Sequence, residues 1–356
     1  MHAAEGYRMF DQRVLLRAPP PVRDAWDLLY GAMTDPDPST VAHQRRIEVT
    51  ADGVVVVDGV ARGTGAGPVM ARLQEVVQAE ILASVVSHLL WHGAVWRIDG
   101  KALLVVGDSG CGKTTLSLQH RVSGGAVLSD EAGGWDLQTG GLRPWPRAMA
   151  VRPDSLALVG MARDHLPMLD LDEQKIVIPV SDPESMKTLW PGGVVLLEWP
   201  EDVACHDSHG ARIVEVAVPG RDRSWINAWR VTCPDWEVLP HPDGPPWWRI
   251  RSSSAPAPDQ VATALRQAGA RYGGWHDRPC RRPDFRVAPV VQSLHGDDLA
   301  AALLAHTLNG QSLVAAFGEA RVWESARQAV HGVPGFRVVP GEVTATHRRL
   351  VEAVSR

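Results

Sequence analysis

Residues 107–114 read GDSGCGKT, the pattern G-x-x-x-x-G-K-[ST] whose backbone N–H groups cradle phosphate oxygens. The apolar run ALLVVG precedes it, a helix pattern covers 113–122, and a second apolar run, GAVLSDE, follows and closes in two acids. Strand, glycine loop, helix and strand in this order predict a βαβ unit. Phosphate would sit at the carboxyl edge of its sheet and over the N-terminus of its helix. The expected nucleotide-binding residues are Gly107, Asp108, Ser109, Gly110, Cys111, Gly112, Lys113, Thr114 and Thr115. The glycines let the backbone approach phosphate closely, Lys113 reaches the β and γ phosphates, and the Thr114 hydroxyl ligates magnesium. The competing reading is a glycine-rich turn joining a strand to a helix, with Cys111 as a small filler.

Only 17 positions separate Lys113 from Asp130. That spacing excludes an ABC transporter ATPase, although AVLSDE resembles the acidic strand of such enzymes and VSGG echoes their signature. Those ATPases place a helical subdomain between the two elements, and one helix and one strand leave no room for it.

Elsewhere the pattern is mixed. RVLLR and RIEVTADGVVVVDG, with Asp-Gly turn signals, make residues 11–62 β-rich. Apolar residues at helical spacing predict one long helix over 68–90. GAVWRI and ALLVVG flank Asp99-Gly100 as a hairpin, and GGVVLLEW (192–199) reads as a buried strand. The Pro-rich stretch 240–248 reads as a linker, beyond which helical and strand patterns alternate (PDQVATALRQAGA, DDLAAALLAHTLNG, SLVAAFG). The expected organisation is a β-rich N-terminal region (1–66), a catalytic domain (67–240) and a C-terminal α/β appendage (241–356), and 356 residues suffice for a sizeable core.

The composition excludes several classes. No run approaches the roughly 18 apolar residues of a membrane span, and the N-terminus lacks a basic stretch followed by an apolar one. Cys111, Cys205, Cys233 and Cys280 are scattered, which argues against a disulfide framework or zinc site; a cytoplasmic setting is expected. Residues 241–356 carry 14 Arg and no Lys against 10 acids within a chain of net charge −5. That excess is too small for a nucleic-acid surface. The 14 Trp are expected partly in the core and partly along a groove.

The block HGAVWRIDGKALLVVGDSGCGKTTLSLQHRVSGGAVLSDE resembles the core of HPr kinase/phosphorylase and its relatives, whose fold is shared with phosphoenolpyruvate carboxykinase. The order of a His-Gly, an apolar strand, G-D-S-G-x-G-K-[ST], a helix, a glycine-containing turn and a strand ending in two acids is similar throughout. His92 lies 15 positions before Gly107. The resemblance covers about residues 67–155, and LRPWPRAMAVRP (142–153) is similar to the family's Pro-Arg strand. It implies an α/β P-loop core binding ATP and Mg2+. Asp130 would be the carboxylate that accepts a proton from an attacking hydroxyl, and Glu131, where the family has Asp, would support the metal with Thr114.

His92 matches the histidine that approaches the catalytic acid. It also reads as a structural histidine at a junction, or as one of a helical pair with His88. Arg147, Arg152 and Lys175 are candidates to neutralise the γ-phosphate, or ordinary surface cations. HDSH (206–209) reads as a polar loop, and the basic cluster HDRPCRRPDFR (276–286) reads as a grip for an acidic substrate or as a solvated face.

The recognition elements of the HPr enzyme, including its Leu-Glu-Ile-Arg-Gly stretch, are not recognisable, so phosphorolysis is not expected. The resemblance leans instead towards tailoring kinases of peptides and small metabolites, and it implies homo-oligomers. The expected activity is transfer of the γ-phosphoryl group of ATP to a Ser/Thr-type hydroxyl of a peptide, amino acid or metabolite. The alternatives are a catalytically silent ATP-binding regulator and a carboxykinase-like decarboxylating enzyme.

Overall fold

The computed structural model describes residues 5–35, 43–63, 68–107, 110–163, 165–171, 174–180, 187–198, 212–217, 226, 236–240, 247–252, 275–276 and 286–355. Contacts divide the chain into two compact units, Met1–Gly107 with Cys111–Glu198 and Phe285–Arg356, and Asp108–Gly110 with Trp199–Asp284.

The first unit opens with strands β1 (Glu5–Met9) and β2 (Gln12–Arg17), helix α1 (Pro20–Tyr30), and strands β3 (His43–Val49), β4 (Val55–Val57) and β5 (Val60–Gly63). These strands form one sheet in chain order. β2 and β3 pair in parallel, and α1 makes the crossover such a pair requires. The helix was not expected within this β-rich stretch; two prolines at its start, where the missing N–H costs nothing, mark its onset.

Helix α2 (Val69–Val76) continues through a π-helical turn (Val77–Ile81) and a 3-10 turn (Leu82–Ser84), and strand β6 (His88–Ile98) follows. The expected long helix over 68–90 is therefore wrong beyond residue 84. Buried strands read as continuous apolar runs rather than alternating ones, and β6 is buried along most of its length. Three partner strands, β7 (Lys101–Gly107), β8 (Ala126–Ser129) and β9 (Ala132–Asp136), take its hydrogen bonds. Pairing of that extent overrides local helical spacing.

Helix α3 (Lys113–Val122) joins β7 to β8. Both strands are antiparallel to β6, which lies between them, so β7–α3–β8 is the expected parallel crossover. After β9 come β10 (Leu142–Pro144), β11 (Met149–Val151), helix α4 (Pro153–Leu158), β12 (Met168–Asp170), β13 (Gln174–Ile178) and β14 (Pro191–Leu197). β14 is the strand expected at 192–199 and runs parallel to β7. Strands β11, β13 and β12 form a small separate sheet.

In the second unit, β15 (Arg212–Ala217), β16 (Trp236–Pro240), β17 (Trp247–Ser252) and β18 (Trp275–His276) form an antiparallel sheet of order β16-β17-β15-β18. The chain returns to the first unit with β19 (Val290–Leu294), α5 (Gly296–Ala305), α6 (Gly310–Phe317), α7 (Glu319–Val330), β20 (Gly335–Val339) and α8 (Val343–Val354). β20 pairs in parallel with β14, completing an eight-stranded sheet of order β10-β9-β6-β7-β14-β20-β19, with β8 also on β6. Residues 286–355 thus belong to the first unit, with the glycine loop's strand β7, rather than to a separate C-terminal appendage. The buried residues Val194–Leu197 of β14 need a partner on the side away from β7, and β20 supplies it. The fold is mixed α/β with several sheets.

Two apolar cores hold the first unit. One lies under the N-terminal sheet, α1 and α2, and includes Trp26, Trp145 and Val177. The other lies between the large sheet and α5–α7, and includes Trp91, Leu104 and Leu303. Trp26, Trp91, Trp96 and Trp145 are among the largest fully buried side chains, whereas Trp190 is 70% exposed. No helix among the described residues is long and apolar enough to cross a membrane.

Candidate nucleotide and catalytic site

Hairpin arithmetic explains the spacing of His92 and the glycine loop. Asp99 and Gly100 both take positive φ (50° and 77°), the signature of a two-residue turn between antiparallel strands. The register pairs Ile98 with Lys101 and Gly93 with Val106, which puts His92 at the end of β7 where the loop begins. Gly93 is required there, because a Cβ would lie 2.6 Å from the Val105 carbonyl.

Gly107, Gly110 and Gly112 have φ of 154°, 85° and 101°, a region that disfavours other residues. Gly107 is also hemmed in: a Cβ would lie 2.5 Å from the Leu197 carbonyl oxygen on β14 and 2.8 Å from the Cys111 sulfur. Gly107→Ala is therefore expected to weaken Mg-ATP binding by at least about tenfold and to cost about 1–3 kcal/mol of stability. Calorimetric titration with Mg-ATP and a urea melt check both. Unchanged affinity would mean that the loop tolerates a shift of the β7–β14 edge.

Gly112 caps α3 in the left-handed conformation, and Lys113 opens the helix. Lys113 is buried, and its Nζ donates to the Gly107 carbonyl at 2.7 Å, which holds its ammonium at the start of the glycine loop. The Thr114 hydroxyl donates to Asp130 Oδ2 at 2.9 Å. The Thr115 hydroxyl lies 3.3 Å from that of Ser155 on α4. Cys111 is fully buried, as a filler would be. Asp108 and Ser109 lie outside the described residues, as do HDSH and nearly all of the 276–286 cluster.

The two acids leave the end of β8 in different directions. Asp130 is 7% exposed, and its Oδ1 has no hydrogen-bond partner. Burial pushes its carboxyl up to about 6, helped by the charge of Glu131 and opposed by the Thr114 and Ser117 hydroxyls and by Lys113. Glu131 behaves oppositely. Burial raises its carboxyl, but Arg147, then His92, Lys113 and Lys175, outweigh that and hold it below the usual range. Its Oε2 accepts from Arg147 Nη1 at 2.5 Å and its Oε1 from Gln78 Nε2 at 2.5 Å. Ser129 ties the turn together by donating to the Ala132 carbonyl at 2.7 Å, and Gly93 N–H donates to the Glu131 carbonyl at 3.1 Å.

His92 stands 3.9 Å from Glu131 Oε1 through Nδ1, which puts it beside the second acid. It does not form a helical pair with His88. Both lie on β6, and buried His88 meets the Ser87 hydroxyl at 2.6 Å and Asp136 at 3.8 Å. Arg147 is brought to the acids and is buried, with its guanidinium 5.8 Å from the Tyr30 ring centre. Lys175, on β13, is close enough to act on Glu131. Arg152 sits exposed at the N-cap position of α4, without a side-chain capping bond, and is not among the charges that dominate either acid. Sequence reasoning missed Gln78, Tyr30 and Ser129. Only Ser129 left a local signal, a serine just before a turn.

The Thr114 hydroxyl fits magnesium: it is a hard oxygen donor oriented by its bond to Asp130, and magnesium takes few protein ligands beside phosphate oxygens and water. No cluster of three or more His, Cys, Asp or Glu able to hold a metal occurs among the described residues.

No protein-family model matches the chain, and no curated protein matches it in sequence. Among solved structures it is similar to the Hpr(Ser) kinase/phosphatase from Coxiella burnetii. The match is 14% identical, covers 51% of this chain and 93% of that one, and has a TM-score of 0.19. A likeness at that score carries no argument, and the functional reading rests on the residues.

Proposed function

We propose that the chain is an ATP-dependent phosphotransferase acting on a Ser/Thr-type hydroxyl of a peptide, amino acid or small metabolite. The observation that carries this reading is the 2.9 Å bond between Thr114 of the glycine loop and Asp130 at the end of β8. It joins a phosphate cradle to a buried carboxylate at the same edge of the sheet, within reach of one ligand. Lys113 and the loop amides would grip the phosphates, and Thr114, oriented by its bond to Asp130, would hold magnesium, which supplies charge neutralisation at the γ-phosphate.

Asp130 is suited to take the proton of an incoming hydroxyl. A carboxyl raised to about 6 is ionised at neutral pH yet a stronger base than a solvated aspartate. Arg147 and Lys175 would add positive charge near the transferring group, and His92 is partly open to solvent, as a group meeting an acceptor needs to be.

The test is a transfer screen read by mass spectrometry, with purified protein, Mg-ATP, and fractionated peptide and metabolite pools, run beside Asp130→Asn. A species that gains one phosphoryl group only with the unmodified protein supports the reading and identifies the acceptor class. Tight ATP binding with no phosphorylated product in any pool points to the silent regulator instead. No ATP binding removes both.

A further inference from the structure

Gln78 belongs to no motif, yet it reaches across 53 positions to donate to Glu131. It sits in the π-helical turn Val77–Ile81, where the wider i→i+5 ring re-aims side chains relative to a continued α-helix; such turns concentrate at functional sites. From the other side Arg147, itself 5% exposed, donates to the second oxygen. Two donors on two oxygens fix the plane and rotation of a carboxylate. Held this way, Glu131 has a donor on each oxygen and its charge matched by Arg147, with Oε1 3.9 Å from His92 Nδ1, so a metal would have to share oxygens already oriented by protein donors. Asp130 is the opposite case, with a free buried oxygen beside Thr114. Adjacent in sequence, the two acids serve different neighbours.

We infer that Glu131 is a positioning residue for His92, clamped by Gln78 and Arg147, and not a ligand of the metal that accompanies ATP. This rests on the phosphotransferase reading above, and Gln78 becomes a determinant of that site. The imidazole is the more exposed partner of the pair, its side chain 34% exposed against 21% for Glu131. At 3.9 Å the contact is electrostatic and not a hydrogen bond, so the fixed carboxylate acts on the ring through its charge, favouring Nδ1 turned towards it.

The test uses the full chain, Mn2+ with ATP as the metal probe, and ADP formation from Mg-ATP with water as acceptor. Free Mn2+ is read by electron paramagnetic resonance. Glu131→Gln and Gln78→Leu are expected to leave Mn2+ affinity in the presence of ATP, and KM for ATP, within about twofold, while kcat falls about tenfold to a hundredfold. Thr114→Ala, by contrast, should weaken Mn2+ by about tenfold or more. In the exchanged pair Gln78→Glu with Glu131→Gln, the hydrogen bond is remade with donor and acceptor reversed. Partial recovery of kcat over Gln78→Glu alone is expected, which a purely structural role for Gln78 does not predict; this pair also answers the question if Gln78→Leu does not fold.

Loss of Mn2+ affinity in Glu131→Gln comparable to that in Thr114→Ala overturns the inference, and so does an unchanged kcat in both single variants. If the unmodified protein forms no ADP, the Mn2+ comparison decides alone. If it binds no Mn2+-ATP at all, the nucleotide reading itself fails, and the unmodified control shows that directly.

Discussion

Asp130→Asn is expected to lose phosphoryl transfer by at least about a hundredfold and, at pH 7 and above, to be more stable than the unmodified protein. The second half follows from burial. The carboxyl is raised from 3.8 to about 6 in the folded chain, chiefly by desolvation. A folded state that holds its proton more tightly than the unfolded chain is penalised once that proton leaves. The penalty is absent below about pH 4, grows between the two values, and is complete above about pH 6, where it amounts to about 3 kcal/mol. Asparagine carries no charge to desolvate, and its carbonyl can still accept from Thr114. The gain in stability should therefore be near zero at pH 4 and reach about 2–3 kcal/mol at pH 7.5. Urea melts of both proteins across that range measure it. Equal stability at all pH values would mean that Asp130 is solvated in the folded chain and not tuned as a base. A gain in stability without loss of transfer would leave the tuning intact and remove the residue from the chemistry.

The P-loop half of this site was legible because its signals are local. The Asp99-Gly100 turn sets the hairpin register, the register sets where His92 falls, and the glycines mark the positions where a Cβ is excluded. The rest is carried by contacts between distant segments. β20 joins β14 across about 140 positions, and the Pro-rich stretch 240–248 between them looked like a boundary. Nothing in DDLAAALLAHTLNG or the segments after it says which edge they will complete. Gln78 was invisible for another reason. Its stretch carries a helical pattern, and the π turn that redirects it has no compositional mark. The acid pair shows a third limit. Sequence gives Asp130 and Glu131 one address, and only the turn tied by Ser129 sends one to Thr114 and the other to Arg147. A resemblance carried residue by residue could name both acids but not their separate neighbours.

Arg147→Met is the second large effect, and it acts on the opposite member of the pair. Arg147 is anchored by its segment: Trp145 N–H donates to the Ala132 carbonyl at 3.1 Å and Ala148 N–H to the Leu29 carbonyl at 2.8 Å. Its guanidinium therefore lies between Glu131 and Tyr30 with little freedom. Methionine fills much of the same space but leaves Glu131 largely buried, with Gln78 and His92 as its neighbours. Breaking one side of a buried ion pair costs about 3–5 kcal/mol, because the remaining charge is uncompensated. With Arg147 present the Glu131 carboxyl is held below 4.5, so its contribution is complete above that value and is lost as pH falls through the lower, folded value. Without Arg147, burial dominates and lifts the carboxyl instead, so the deficit should be largest at pH 7–8 and shrink towards pH 5. Adding Glu131→Gln removes the stranded charge, and the double variant should recover at least half of the loss at pH 7.5. Urea midpoints of the two single variants and the double at pH 5 and 7.5 close the cycle. A deficit independent of pH, with no recovery in the double variant, would place the cost in lost packing on Tyr30 rather than in the ion pair, and Glu131 would then hold its place without Arg147.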